Sequence, residues 1–189
     1  MSHPIALTLD DDQRRSRVTV FFRLILVIPH LIWATLWGIV VAIAILLSWF
    51  ATLFMGRTPR ALHDFIAQYL RYSTHLYGYL GFLANPYPGF LGNSDYPVDL
   101  VVAEPARQNR WKTFFRVILI LPAHLVNSML GYVVLMVSIM AWIVCVITGS
   151  MPLGLRDLTT WIARFNVQIA GYVWLLTDRY PNFSPDLLE

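Results

Sequence analysis

Polar side chains fall in one stripe along the segment Arg60 to Leu83: Arg60, His63, Asp64, Gln68, Arg71, His75 and Gly78. Steps of three and four residues put them on one face of a helix. Asp157, Thr160, Arg164, Gln168 and Gly171 trace a second stripe. In apolar surroundings such groups either lock a structural ion pair or line a site for a polar ligand. The seam expected to carry function is therefore Asp64, Arg71, His75, Asp157, Arg164 and Gln168. Asp64 and Arg71 are seven residues apart and share a face, so a pair from the opposite stripe would offset their charge.

Other chemistry has little to stand on. His30, His63, His75 and His124 are isolated, and there is no His-x3-His or Cys-x2-Cys spacing to hold a metal. His30 and His124 each follow a proline, where freed backbone carbonyls are their expected partners. Cys145 is the single cysteine and excludes an intrachain disulfide. Neither a nucleophile–base set nor a phosphate-cradling glycine loop is visible. The sequence points to no cofactor and no enzyme activity, and Asp178-Arg179-Tyr180-Pro181 is read as a turn.

The stripes belong to a duplicated unit. Phe21-Phe22-Arg23 recurs as Phe114-Phe115-Arg116, and Pro29, Gly56, Pro59, Asp64, Arg71 and Gly78 recur as Pro122, Gly149, Pro152, Asp157, Arg164 and Gly171. The register is constant and divides the chain into repeat units at 1–93 and 94–189. A residue kept in both copies serves the shared scaffold, and a site that uses one copy shows as a departure from the repeat.

Each unit opens on an extended stretch, Pro4 to Leu9 or Pro97 to Ala103. A basic cluster follows: Arg14, Arg15, Arg17 and Arg23, then Arg107, Arg110, Lys112 and Arg116. These clusters suit anionic lipid headgroups as partners, or topology determination alone. No Asp, Glu, Lys or Arg occurs between Leu24 and Gly56 or between Val117 and Leu155. Each run exceeds the ~20 apolar residues a spanning helix needs. Pro29 and Pro122 should break each run into a short interfacial helix and a spanning helix over 31–55 and 124–148. Gly56 and Gly149 suit helix ends, and Pro59 and Pro152 suit the starts of the next helices.

Composition agrees with a membrane location: 57% of residues are hydrophobic and 13% are charged, where a soluble domain carries about a quarter. The first apolar run is far longer than a signal-peptide core, so it is expected to be retained. A net charge of +3, mostly arginine, points to lipid rather than nucleic acid. The second helix of each unit either crosses the bilayer or lies on it. One crossing per unit splits the basic residues evenly between the two faces. Two crossings put both basic clusters on one face, opposite Arg57, Arg60 and Arg156, and also bring the extended stretches together. The positive-inside rule favours the second arrangement. The expected fold is an all-α integral membrane protein with four crossings and cytoplasmic termini.

Arg23 to His30 gives Arg-x5-Pro-His, Gly56-Arg57-x-Pro59 follows with Met55 before it, and Leu175 to Phe183 reads Leu-Leu-Thr-Asp-Arg-Tyr-Pro-Asn-Phe. These pieces resemble the bacterial domain-of-unknown-function family DUF4389, in two tandem copies. Leu83-Ala84-Asn85-Pro86-Tyr87-Pro88 is a degraded form of the last piece, and Thr148-Gly149-Ser150 lacks the arginine of the second. The resemblance implies a multi-pass protein of the bacterial inner membrane and no activity. The functional expectation is a non-enzymatic accessory or scaffold component of a cell-envelope or transport complex. It would act with membrane lipids, with a membrane-protein partner or as a homo-oligomer. The alternative is a small lipid- or solute-handling protein whose polar stripes face each other across the repeat interface.

Overall fold

The computed structural model describes residues 3–182 and is mainly helical. Each repeat supplies one strand and three helices. The first gives β1 (Ile5–Leu9), α1 (Arg17–Leu26), α2 (Ile28–Met55) and α3 (Arg60–Leu80). The second gives β2 (Val98–Val102), α4 (Arg110–Leu119), α5 (Leu121–Thr148) and α6 (Leu153–Val173).

Local chemistry sets these boundaries. Pro29 and Pro122 sit in the first turns of α2 and α5, where a missing N–H breaks no helix bond. The bends therefore fall at Val27 and Ile120, and the long helices start three residues earlier than expected. Gly56 and Gly149 end them in the left-handed conformation, with φ of 73° and 75°. α3 and α6 stop at Leu80 and Val173, followed by Phe82 and Leu175 at φ of 60° and 62°. This backbone is unfavourable for side chains of that size and needs outside support.

The chain is layered about a pseudo-twofold axis. β1 and β2 pair antiparallel, and Leu7 lies opposite Leu100, its counterpart in the other repeat. The buried face of this ribbon, Ile5, Leu7, Val98 and Leu100, packs on Ile66, Leu70, Ala163 and Val167 of α3 and α6. Val41 and Ala44 of α2 join the same core from the far side. α3 and α6 run antiparallel, since Gly81 meets Thr159 at one end and Tyr69 meets Trp174 at the other. α2 and α5 fold back on α3 and α6 as hairpins. Each repeat lends its first helix to the other: Val20 packs with Ala141 and Cys145 of α5, and the Trp49 indole on α2 donates to Thr113 O of α4 at 3.1 Å.

This geometry departs from the four-crossing expectation. That arrangement needs α3 and α6 to run in the same direction, and they run in opposite directions. The ribbon also lies alongside them: Val98 sits against Gly78, and Leu100 O accepts from Arg71 at 2.9 Å. If α3 crossed a bilayer, a two-stranded ribbon with unpaired edges would cross with it, leaving backbone groups unmet in hydrocarbon. α2 and α5 are the two described helices long and apolar enough to span.

The ribbon approaches the helices closely enough to make glycine necessary. A Cβ on Gly78 would lie 2.9, 3.1 and 3.2 Å from three side-chain carbons of Val98. A Cβ on Gly171 would meet mainly the tip of Ile5, which can rotate away. Gly78→Ala is therefore expected to destabilise by about 1–3 kcal/mol, and Gly171→Ala by less. Adding Val98→Ala should recover much of the loss at Gly78, measurable by denaturant titration.

Candidate functional site

The first polar stripe meets the ribbon along α3. Arg71 Nε lies 3.0 Å from Asp99 Oδ1, and the same oxygen is 3.3 Å from His75 Nε2. The carboxylate also accepts from its neighbour's amide, Leu100 N, at 2.7 Å. His75 is buried and stacks on Tyr96, with ring centroids 4.7 Å apart. Burial lowers the His75 pKa, and the bond and charge of Asp99 oppose that shift. Beside this cluster lies an open cleft of about 580 Å³ lined by His63, Asp64, Gln68, Arg71, Asn93 and Glu104.

His75 gives a pH prediction. Its folded pKa lies below the ordinary 6.5, so the unfolded chain takes up the proton first. The contribution to stability is whole above pH 6.5 and is lost as pH falls through the folded value. His75→Gln, which copies the residue at the equivalent position, Gln168, should flatten this part of the stability–pH curve.

The other seam residues are not gathered. Asp64 is exposed, 3.3 Å from His63 Nδ1 and 3.9 Å from Arg60. Asp157 is exposed beside Arg156. Arg164 is half-buried, and Gln168 Oε1 accepts from Asn182 N at 3.0 Å. Asp64 and Arg71 do not pair with each other. The carboxylate that Arg71 does meet comes from the other repeat, but it is Asp99. Sequence reasoning missed Asp99 because it lies in a strand, outside any helical stripe; the available signal was its departure from the repeat, where Ala6 stands at the matching position. Ile66, Leu70, Ala163 and Val167 pack in one core cluster at the repeat interface.

The basic clusters divide. Arg14, Arg17, Arg107, Arg110 and Lys112 are exposed, and Arg110 donates to Phe54 O at 2.8 Å. Arg15, Arg23 and Arg116 are buried, which corrects their assignment as lipid contacts. Arg23 donates to Tyr79 O at 2.5 Å and Ala84 O at 3.3 Å, and its guanidinium lies 4.2 Å from the Tyr79 ring. In the second repeat Arg116 donates to Tyr172 O, to Thr177 O at 3.0 Å and to Gln108 Oε1 at 2.7 Å. Arg15 donates to Phe82 O at 2.9 and 2.7 Å and pairs with Asp11, while its counterpart Gln108 donates to Leu175 O at 2.7 Å. These carbonyls lie in the last turns of α3 and α6 and in the segments just after them, and the donors hold the two left-handed turns in place. Burial lowers both arginine pKa values, that of Arg116 to about 10, which leaves it charged at neutral pH.

His30 is buried with Nδ1 2.9 Å from the Tyr72 hydroxyl and its ring stacked on Phe90. His124 is exposed. Among the described residues, no three His, Cys, Asp or Glu side chains gather as a metal site. Phe183, the last residue of the motif that starts at Leu175, lies outside the described residues.

A family model described as a domain of unknown function, DUF4389, matches residues 17–92 and again 110–184. The two matches start at the equivalent residues Arg17 and Arg110, as the internal repeat requires. No curated protein and no solved structure matches the chain.

Proposed function

The chain belongs to the DUF4389 family, which carries no assigned activity, and for it we propose a non-enzymatic scaffold that lies in one leaflet of a membrane and offers its polar face to a partner. The observation that carries this reading is the sorting of the two faces along the pseudo-twofold axis. On one side the exposed surfaces of α1, α2, α4 and α5 are mainly apolar, with Arg17, Arg110, Lys112 and His124 confined to the starts of their helices: Phe21, Ile25, Ile43, Phe114, Ile118 and Ile143 are typical. On the other lie the ribbon, the cleft and the charged side chains of Asp64, Asp99, Glu104 and Arg71.

An axis along the membrane normal puts every apolar face into the same leaflet and keeps the ribbon in water. The exposed face of α1 is apolar almost throughout, so it has no side suited to facing water while α2 spans. α2 alone would be about 42 Å long, beyond the ~30 Å hydrocarbon thickness. Four crossings, or one per repeat, would each bring the ribbon or the exposed face of α1 into the wrong medium. Arg14, Arg17, Arg107 and Arg110 then sit at the headgroup level, where anionic lipid favours them.

The ribbon supplies the docking chemistry. Each strand has one strand neighbour among the described residues; on β2 the outward amide and carbonyl of Leu100 are already held by Asp99 and Arg71, so the edge offered for strand addition is that of β1. Extraction in polymer discs with native lipid, followed by mass spectrometry, tests the role. A stoichiometric protein of the cell envelope is expected to co-purify, and to be lost when Thr8 and Val101 on the outer ribbon face are replaced by Asp. A chain that purifies alone at native expression would contradict the scaffold role.

A further inference from the structure

The repeat is broken at one place on the apolar face. Between α1, α3 and α5 runs a groove of about 540 Å³, lined by Leu24, Tyr77, Gly81, Val134, Leu135 and Trp142 among others. Its counterpart in the other half is filled. There the space over Gly38 is taken by Tyr69, whose hydroxyl would lie 2.8 Å from an added Cβ, and Trp174 packs beside it at 5.6 Å. On the groove side Gly81 stands where the other half has Trp174, Ile162 stands where it has Tyr69, and nothing lies within 4 Å of a Cβ on Gly131.

The polar groups of the groove depart from the repeat in the same sense. Trp49 donates to Thr113 O, whereas its counterpart Trp142 lines the groove with Nε1 buried and without a partner. Tyr77, which replaces the Ala170 of the other half, lines it with a buried and unpartnered hydroxyl. Arg23 Nε is buried and unpartnered at the same groove too, but so is Arg116 Nε in the other half, so the departure is carried by Trp142 and Tyr77. Among the described residues, no Asp or Glu lines it. An apolar trough with unmet donors and no competing carboxylate suits a long hydrocarbon chain that carries an acceptor oxygen.

We propose that this groove holds one acyl chain of a membrane glycerophospholipid, with the ester carbonyl accepting from Tyr77 and Trp142. The inference rests on the membrane reading above, because the groove opens on the face assigned to the leaflet. A bilayer lipid reaches it without leaving the membrane, and the bound lipid completes the half of the molecule that lacks Trp174.

The test uses the full chain in polymer discs and in vesicles of phosphatidylcholine with dibrominated acyl chains. Native mass spectrometry is expected to find one phospholipid retained per wild-type chain. Gly131→Phe, which fills the groove without touching the core, should lower retention at least tenfold, and Tyr77→Phe should lower it several-fold. The brominated chains should quench a component of tryptophan fluorescence that is absent in Trp142→Phe and reduced in Gly131→Phe. Equal retention by a folded Gly131→Phe variant, or retention of free fatty acid in place of phospholipid, would overturn the proposal. Vesicle flotation separates the two readings. A chain that floats but retains no lipid refutes the groove alone, and a chain that does not float refutes the membrane reading and the groove with it.

Discussion

Replacing Arg116 or Arg23 by Leu is expected to lower stability by about 3–5 kcal/mol, a large part of the ~5–15 kcal/mol available to a domain. Each guanidinium serves one carbonyl in the last turn of a helix and one beyond its end, and all four bonds are buried. Hydrogen bonds from a charged donor contribute about 1.5–3 kcal/mol each, and an unmet buried acceptor adds its own penalty. Lysine should not rescue either position, because one ammonium cannot fork to two carbonyls while lying flat on Tyr79 or Tyr172. Arg17→Leu is the control: its exposed side chain should change stability little. Denaturant unfolding in detergent measures all three, and equal midpoints for Arg116→Leu and wild type would refute the structural role.

The second large effect separates folding from membrane binding. Ile25 and Ile118 occupy related places on α1 and α4 and are each 63% exposed. Replacing both with Asp removes little internal packing, so the unfolding midpoint should hold. A carboxylate placed in hydrocarbon costs about 2.5–3.5 kcal/mol on insertion scales. Each substitution should thus weaken partition into vesicles by roughly two orders of magnitude. A matched pair on the ribbon face, Thr8→Asp with Val101→Asp, should leave partition unchanged. If the first pair floats like wild type, the apolar face does not contact lipid.

Much of the local structure was legible in the sequence, and the way the parts assemble was not. Gly56, Gly149, Pro29 and Pro122 announce their turns because glycine and proline restrict the backbone wherever they stand. The extended stretches were legible and their pairing followed, since both repeats place them equivalently. Direction was not legible: the basic clusters satisfy a charge rule in several topologies, and only the Gly81–Thr159 and Tyr69–Trp174 contacts show that α3 and α6 oppose each other. Arg15, Arg23 and Arg116 read as surface charge because each is held by backbone carbonyls, which leave no mark in the sequence, with Asp11 and Gln108 as the side-chain partners of Arg15 and Arg116. The helical stripe places Arg71 and His75 on one face, while their shared partner Asp99 arrives from a strand of the other repeat.

The single-leaflet placement is tested most directly by mapping which residues face the same side. In a Cys145→Ala background, single cysteines replace the exposed residues Asp12, Arg57 and Asn93. Sealed vesicles of one orientation are then treated with a membrane-impermeant maleimide. The account predicts that all three positions share one fate, labelled together from one side and protected together from the other. Arg57 on the side opposite to Asp12 and Asn93 would establish two crossings per repeat, and Asp12 opposite to Arg57 and Asn93 would establish one; either result contradicts the account.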